Sequence, residues 1–240
     1  MVILTGFYNA EQYIERCLGS IMGQTHKDFK CYITHDLSTD NSVSLVKQMI
    51  SGDDRFILID DNEKKLYQAG NFDKVIRNNP NISDDELLIE VDGDDYLPDS
   101  KVFERINNLY KDTNVWIANG SFRYHQGPIG FSSKQTNFDT LRTSNFTASH
   151  IRTWRAFLWR NIKEEDLRDE NGEYWQWSGD LCFMYPMLEM AGEEHYRFMT
   201  DINYVYNAEN PINEHKVDIS MVTNHATRIR NKKPYTKLIR

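Results

Sequence analysis

Three carboxylates follow an apolar segment of the chain within four residues. The segment reads LLIEV (residues 87–91), and Asp92, Asp94 and Asp95 come directly after it. Like charges this close repel one another unless they share a cation, and Mg²⁺ or Mn²⁺ is typically held by one or two carboxylates together with substrate phosphates. The spacing therefore indicates a divalent-metal site that binds diphosphates. An acidic turn leading into the next helix is the alternative interpretation, because the intervening glycine suits a turn.

Two further polar clusters follow apolar segments earlier in the chain. Tyr8 and Asn9 come after VILTGF (residues 2–7), and HDLSTD (residues 35–40) comes after CYIT. Ligands of open parallel sheets bind outside the carboxyl ends of the strands, so we expect all three clusters at one edge. The chain lacks G-x-G-x-x-G after the first apolar segment and lacks G-x-x-x-x-G-K-[ST] throughout, which argues against dinucleotide-binding and P-loop proteins.

Alternating strands and helices must position these clusters. The predicted strands are residues 2–8, 29–34, 56–59, 87–91 and 115–118, and helical spacing of apolar residues predicts helices near residues 13–22, 40–50, 68–78 and 102–110. Such alternation predicts an α/β fold in which a mostly parallel sheet carries helices on both faces.

The second half of the chain is less regular. We expect a polar loop over residues 127–137 and helices over residues 154–160 and 181–190. Asp180 precedes the last helix, where it either caps the helix or acts as a general base, and Pro186 is expected to bend that helix.

A pair of tryptophans lies just before Asp180. Trp175 and Trp177 have period-two spacing, so both side chains are expected on one side of an extended segment. They would either provide flat faces on which a sugar ring stacks or form part of the core.

Four motifs together resemble those of the family-2 glycosyltransferases, which have the GT-A fold. They are VILTGFYNA (residues 2–10), CLGSI with QT (17–21 and 24–25), DLSTD (36–40) and VDGDDYLP (91–98). The resemblance is concentrated in the first hundred residues. It implies a GT-A-like, Rossmann-type sandwich in a single domain: a donor half at residues 1–120, an acceptor half at 121–225 and a basic tail at 226–240.

The resemblance also implies roles for residues of the first half. Tyr8 and Asp36 would hold the nucleoside, Asp92 would contact the ribose, and Asp94 would ligate the Mn²⁺ or Mg²⁺ that bridges the donor diphosphate. His35 stands where the family usually has a second acid, so recognition of the base is open.

Two basic residues are expected to help bind the donor. Lys65 follows the third predicted strand, near the expected donor pocket. Arg152 has the planar guanidinium that contacts phosphate through two hydrogen bonds.

The family pattern suggests the remaining parts of the site in the second half. A general base is expected at Asp180, and a late histidine that completes the metal site is expected at His215. His150, His195 and His225 are the alternatives to His215. Trp175 and Trp177 would bind the acceptor.

The resulting hypothesis is an inverting, metal-dependent transfer of a sugar from a nucleotide-diphosphate sugar to an acceptor hydroxyl. A UDP-sugar is the favoured donor, and a carbohydrate or glycoconjugate in polysaccharide synthesis is the expected acceptor. A non-catalytic sugar-binding or nucleotide-binding module is the alternative. A nucleotidyltransferase is a weaker one, because no glycine-rich basic loop follows the first strand.

Composition bears on partners and location. A formal net charge of −8 argues against a general nucleic-acid binder. The apolar runs are too short to cross a bilayer and the three cysteines lack metal-ligand spacing, so we expect a cytoplasmic protein. The basic tail could touch an anionic membrane surface, although a solvated, loosely ordered tail is the favoured interpretation.

Overall fold

A seven-stranded sheet forms the centre of the fold in the computed structural model, which describes residues 1–240. The strands are β1 (Val2–Phe7), β2 (Lys30–His35), β3 (Phe56–Ile59), β4 (Leu87–Glu90), β5 (Ile117–Tyr124), β6 (Arg152–Arg155) and β7 (Tyr196–Tyr206). Their order across the sheet is β3-β2-β1-β4-β6-β5-β7. β6 is antiparallel to both of its neighbours and every other pairing is parallel. The predicted mostly parallel sheet is confirmed.

Helices cover both faces of this sheet. They are α1 (Ile14–Met22), α2 (Ser42–Met49), α3 (Tyr67–Asn78), α4 (Val102–Leu109), α5 (Ala156–Arg160), α6 (Gly179–Ala191), α7 (Glu214–Val217) and α8 (Ile219–Arg230). Buried apolar residues form two clusters, one of 31 and one of 26 residues. Side chains alternate along a strand, so Leu4 of β1 belongs to the first cluster and Ile3 to the second. The first cluster also contains α3, α5 and α6, and the second contains α1 and α4.

The carboxyl ends of β1, β2 and β4 meet at one edge of the sheet. Phe7, the last residue of β1, is in register with His35, the last residue of β2. The chain leaving β4 continues along β1, because the Gly93 amide donates to the Gly6 carbonyl at 2.9 Å. This pairing brings the acidic turn that follows β4 to the end of β1.

The helix predicted over residues 154–160 is wrong at its start. Trp154 lies in β6, opposite Leu88 of β4 and Ile117 of β5, and the helix begins only at Ala156. Trp154 is fully buried. Burial and pairing with both neighbouring strands outweigh the local helical pattern, because intrinsic helix propensity is a weak preference.

The start of α6 also differs from the prediction that Asp180 caps it. The helix begins at Gly179, so Asp180 lies in its first turn, and Ser178 before it has a left-handed backbone with φ of 52°. Asp180 is therefore not tied to the helix end by a capping hydrogen bond. Pro186 lies inside the helix.

The basic C-terminal segment is docked, which contradicts the prediction of a loosely ordered tail. Tyr235 and Leu238 pack against the first apolar cluster, and the Leu238 amide donates to the Met190 carbonyl of α6 at 2.9 Å. Most of the basic side chains are in ion pairs: Arg228 with Glu170, Lys232 with Asp166, Lys237 with Glu194 and Arg240 with Asp85. These pairs reduce the cationic surface left for an anionic membrane. None of the helices is both long and apolar enough to span a bilayer.

Candidate active site

A cleft of about 820 Å³ opens at the carboxyl edge of the sheet. It is lined by Tyr8 after β1, Asp92 and Asp94 after β4, Asp180 of α6 and His215 of α7. A second cavity of about 300 Å³ lies beneath the C-terminal segment. The larger cleft is the candidate active site, because it gathers carboxylates from several separate elements.

The three carboxylates of the acidic turn have two different surroundings. Asp95 is 1% exposed and accepts the Asn207 amide at 2.6 Å, so it secures the end of β7. Asp92 and Asp94 line the cleft instead. A side chain at Gly93 would place its Cβ 2.5 Å from the Phe7 Cβ, so only glycine allows the turn to lie against β1.

Burial makes the ionised forms of the carboxylates that face the cleft unfavourable. Burial raises the pKa of Asp92 well above its usual range, and the nearby charges of Glu90 and Asp94 raise it further. Burial also raises the pKa of Asp94, although a hydrogen bond from Asn210 opposes the rise. A cation beside these groups would favour their ionised forms. The side of the cleft that carries these carboxylate oxygens therefore fits a divalent metal ion.

The geometry leaves two sets of residues compatible with such an ion. The predicted ligands Asp94 and His215 both line the cleft. A more compact group is formed by Glu90, Asp92 and His150, whose ligand atoms all lie within 4.8 Å of one another. The assignment of Asp94 and His215 stays a prediction.

Asp36 directly follows β2 and contributes to the local fold there. Its Oδ1 accepts the amides of Leu66 at 2.7 Å and Tyr67 at 3.2 Å, and the Asn71 side chain at 3.3 Å. These bonds secure the start of α3. The contact of Asp36 with the nucleoside stays a prediction. Its Oδ2 atom, which accepts none of these three hydrogen bonds, would make that contact.

The predicted donor residues Tyr8 and Lys65 form a pair at the edge of the cleft. The Lys65 ammonium lies 3.7 Å from the centroid of the Tyr8 ring, a cation–π contact. Tyr8 is 36% exposed. The pair thus presents an aromatic face and a positive charge beside the acidic turn.

Arg152 does not have the free guanidinium that the sequence predicted for phosphate binding. It is 4% exposed, and its Nη1 donates to the Glu90 Oε1 at 2.7 Å. Its Nη2 donates to the Asp180 Oδ2 at 2.5 Å. Two carboxylates already occupy the planar fork, although Arg152 lines the cleft, so a contact with the donor phosphates stays a prediction.

The two tryptophans differ in their surroundings. Trp175 is 1% exposed and belongs to the first apolar cluster, and its indole N–H donates to the Asp166 carbonyl at 3.2 Å. It is a core residue, so its assignment as an acceptor platform is wrong. Trp177 is half-buried, and its contact with an acceptor stays a prediction. The aromatic residues that line the cleft are Phe7, Tyr8, Phe122, Tyr124, Phe131, Phe146, Tyr206 and the histidines His150 and His215.

Helices α7 and α8 form one wall of the cleft and are attached at Ser178. The Ser178 amide donates to the Glu214 carboxylate at 2.8 Å, and its hydroxyl donates to the Val222 carbonyl at 3.0 Å. Burial raises the pKa of Glu214 to about 7. Asp180 therefore lies two residues after Ser178, the residue to which this wall is bonded.

Sequence reasoning missed several residues of the cleft. Glu90 was treated only as part of a strand, and Gln68 only as the start of a helix, yet the Gln68 amide joins Glu90 at 2.8 Å to Asp92 at 3.1 Å. Glu214 was passed over beside His215. A charged residue inside an otherwise apolar strand is the signal that identifies Glu90, because an isolated acid is rarely buried without a partner.

The comparison with family models identifies the group to which this fold and cleft belong. The model of glycosyl transferase family 2 matches residues 2–169. The chain belongs to this family. The resemblance drawn from the four sequence motifs is thereby confirmed.

Individual relatives of this family-2 chain agree with that result. A stretch of 65 residues is 43% identical to the teichoic acid poly(glycerol phosphate) polymerase of Staphylococcus epidermidis, covering 26% of this chain and 9% of that protein. The structure of S. aureus TarS 1-349 in complex with UDP-GlcNAc matches with a TM-score of 0.66 and 14% identity, over 90% of this chain and 60% of that one. The mannosyltransferase PcManGT from Pyrobaculum calidifontis, in complex with GDP-Man and Mn²⁺, matches with a TM-score of 0.60 and 15% identity, over 98% and 65%.

These structural likenesses show the shared fold. They confirm the predicted GT-A-like α/β sandwich. The chain spans less than two thirds of the length of each of these three proteins.

Proposed function

We propose that this protein transfers a sugar from a nucleotide-diphosphate sugar to an acceptor hydroxyl, in one displacement that inverts the anomeric carbon. The observation that carries the proposal is a single cleft lined by Asp92 and Asp94 together with Asp180. The first two come from the acidic turn after β4, and the third comes from α6. Membership of glycosyl transferase family 2 supports the class of reaction.

The donor lies along the side of the cleft formed by β1, β2 and β4. Tyr8, Lys65, Asp36 and Asp92 would hold the nucleoside and the ribose. Two of the structures similar in fold contain UDP-GlcNAc or GDP-Man, which supports a nucleotide sugar as the donor class. We propose a UDP-sugar.

A divalent ion, Mn²⁺ or Mg²⁺, fits the acidic side of this donor pocket. Asp94 would hold it, with His215 as the predicted second ligand. When bound, it would supply Lewis-acid stabilisation of the negative charge on the leaving nucleoside diphosphate. Asp92 keeps the ribose end of the donor beside that charge.

Asp180 is the proposed general base. It accepts the proton of the acceptor hydroxyl as that oxygen forms a bond to the anomeric carbon. The bond from this carbon to the phosphate oxygen breaks at the same time, and its electron pair leaves with the nucleoside diphosphate. The side chain of Asp180 is 27% exposed, so a hydroxyl that enters the cleft can reach it.

The acceptor is proposed to be a carbohydrate or glycoconjugate in polysaccharide synthesis, entering beside α7 and α8. Trp177 stays the predicted acceptor contact, and residues 127–137 form the proposed lid. Phe131 of that segment is 62% exposed and lines the cleft, so a small movement would close it over a bound sugar. A cytoplasmic location is part of the proposal.

A thermal-shift panel tests the donor side. Nucleoside diphosphates and nucleotide sugars are added with and without Mn²⁺, to the parent and to Asp94→Ala. We expect stabilisation by one nucleotide series that requires metal and disappears in the variant. Release of nucleoside diphosphate from the stabilising donor then distinguishes an enzyme from a binding module. No stabilisation by any nucleotide would contradict the proposal.

A further inference from the structure

Arg152 occupies the centre of a buried group of charges. It is the first residue of β6, the one antiparallel strand, and its guanidinium lies between β4 and the start of α6. One amino group binds Glu90, which is fully buried, and the other binds Asp180. The guanidinium therefore joins the floor of the cleft to the proposed base.

The charges in this group do not balance within it. Glu90, Asp92 and Asp180 carry three carboxylates, and Arg152 is the guanidinium that pairs with the first and the last of them. Gln68 adds a neutral link between Glu90 and Asp92. Glu90 and Arg152 are buried, and a buried charge without a partner is strongly unfavourable, so these two residues hold each other in place. The second amino group of the arginine then holds Asp180, whose side chain is 27% exposed.

We propose that Arg152 is a positioning residue, which fixes the orientation of the Asp180 carboxylate while Glu90 fixes Arg152. The inference rests on the proposed function, because it concerns the residue assigned there as general base. It is an alternative to the role that the sequence predicted for Arg152, which was contact with the donor phosphates.

The geometry of the guanidinium explains why arginine suits this position. Its planar fork directs two N–H groups at two separate carboxylates, and both hydrogen bonds are short. A lysine has one ammonium group on a flexible stem and reproduces only part of this arrangement. Glu90 of β4 and Glu214 of α7 also lie near Asp180, and both are acids. Arg152 is thus the cation that is hydrogen-bonded to the Asp180 carboxylate.

Steady-state kinetics with the donor found in the thermal-shift panel tests the proposal. The variants are Arg152→Gln, Arg152→Lys and the control Arg155→Gln. Arg155 lies on the same strand, but its guanidinium donates to the carbonyls of Val115, Asp85 and Tyr110. We expect Arg152→Gln to lower kcat by about 100-fold with little change in the donor KM.

The two kinetic constants separate positioning from a merely structural role. A misplaced base slows the chemical step, so Arg152→Gln should lower kcat while the donor KM stays close to that of the parent. Arg152→Lys keeps a cation at this position and should recover part of the rate. Arg155→Gln should lose stability while keeping the parental kcat.

Loss of the buried cation could unfold Arg152→Gln, so a double variant is needed. Glu90→Gln with Arg152→Gln removes both charges while keeping polar side chains, and should show the same slow rate in a folded protein. A parental kcat in the folded variant would overturn the proposal. A raised donor KM with unchanged kcat would also overturn it and restore the phosphate-binding role. If the parent binds no donor, the proposed function fails and this inference fails with it.

Discussion

The donor and acceptor halves of the cleft stabilise their carboxylates in different ways. On the proposed donor side, Asp94 is paired with the neutral amide of Asn210 at 2.7 Å and forms no ion pair, although the charge of Arg16 acts on it. On the proposed acceptor side, Asp180 is paired with Arg152 at 2.5 Å. A hydrogen-bonded cation is thus built into the acceptor side, whereas on the donor side we propose that a metal ion supplies one.

This difference implies different dependences of the two sides on metal ions. Removal of divalent ions should abolish donor binding, because burial already makes ionised Asp92 and Asp94 unfavourable. The orientation of Asp180 should not change, because its counter-charge belongs to the chain. Four substitutions test the comparison.

Asp180→Asn should have the largest effect. It removes the proton acceptor while keeping the size of the side chain, so kcat should fall by about 1,000-fold while the metal-dependent thermal shift with donor persists. Donor turnover by the purified variant measures the loss. Asp201→Asn, at an exposed position of β7, is the control. Normal turnover by Asp180→Asn would place the base elsewhere, with Glu214 the next residue to test.

Trp175→Ala should destabilise the acceptor half by about 3 kcal/mol, because it leaves a cavity in the core. Trp177→Ala is the matched control, and its loss should be smaller because this side chain is half-buried. Urea unfolding followed by circular dichroism measures both. Equal, small losses would show that Trp175 is not the core residue described above.

Asp94→Asn should weaken metal-dependent donor binding by at least about tenfold, since it removes a charge from the acidic turn. Titration of donor in the presence of Mn²⁺ measures the change. Asp99→Asn is the control. Asp99 follows the same turn but forms a surface ion pair with Arg105, so this variant should bind donor as the parent does. Parental affinity in Asp94→Asn would instead favour Glu90, Asp92 and His150 as the ligands.

His225→Gln should have the smallest effect, visible only as a function of pH. Burial lowers the pKa of His225 in the folded protein, so its neutral form is the one that the fold favours. Protonation of the unfolded chain below about pH 6.5 then draws the equilibrium towards unfolding. Urea midpoints of the parent should drop more between pH 8 and pH 5 than those of the variant. His26→Gln, at a half-buried position, is the control, and a parental drop in His225→Gln would contradict the assignment.

The sequence predicted the donor half well because its signals are local. Each apolar segment is followed within a few residues by the polar residues that it positions, as in the step from residues 87–91 to Asp92 and Asp94. The sheet, its helices and the acidic turn could therefore be assigned from neighbouring residues. The Gly93 contact with Phe7 is the structural counterpart of that local pattern.

The acceptor half depends on contacts between residues distant in the chain, which a single sequence does not display. Arg152 was given only a phosphate-binding role because Glu90 and Asp180 approach it only in the fold. Trp154 was placed in a helix because its strand partners lie far away in sequence. The C-terminal segment was expected in solvent for the same reason, since its acidic partners come from earlier elements.

The attachment of α7 and α8 at Ser178 has a consequence for the timing of turnover. Both bonds of Ser178 to this wall lie two residues before Asp180, in a backbone region that a residue other than glycine rarely adopts. A swing of the wall that admits the acceptor would therefore tilt the first turn of α6 as well. Entry of the acceptor and alignment of the proposed base would then occur in the same movement of α7 and α8. A stiffer wall would slow both steps.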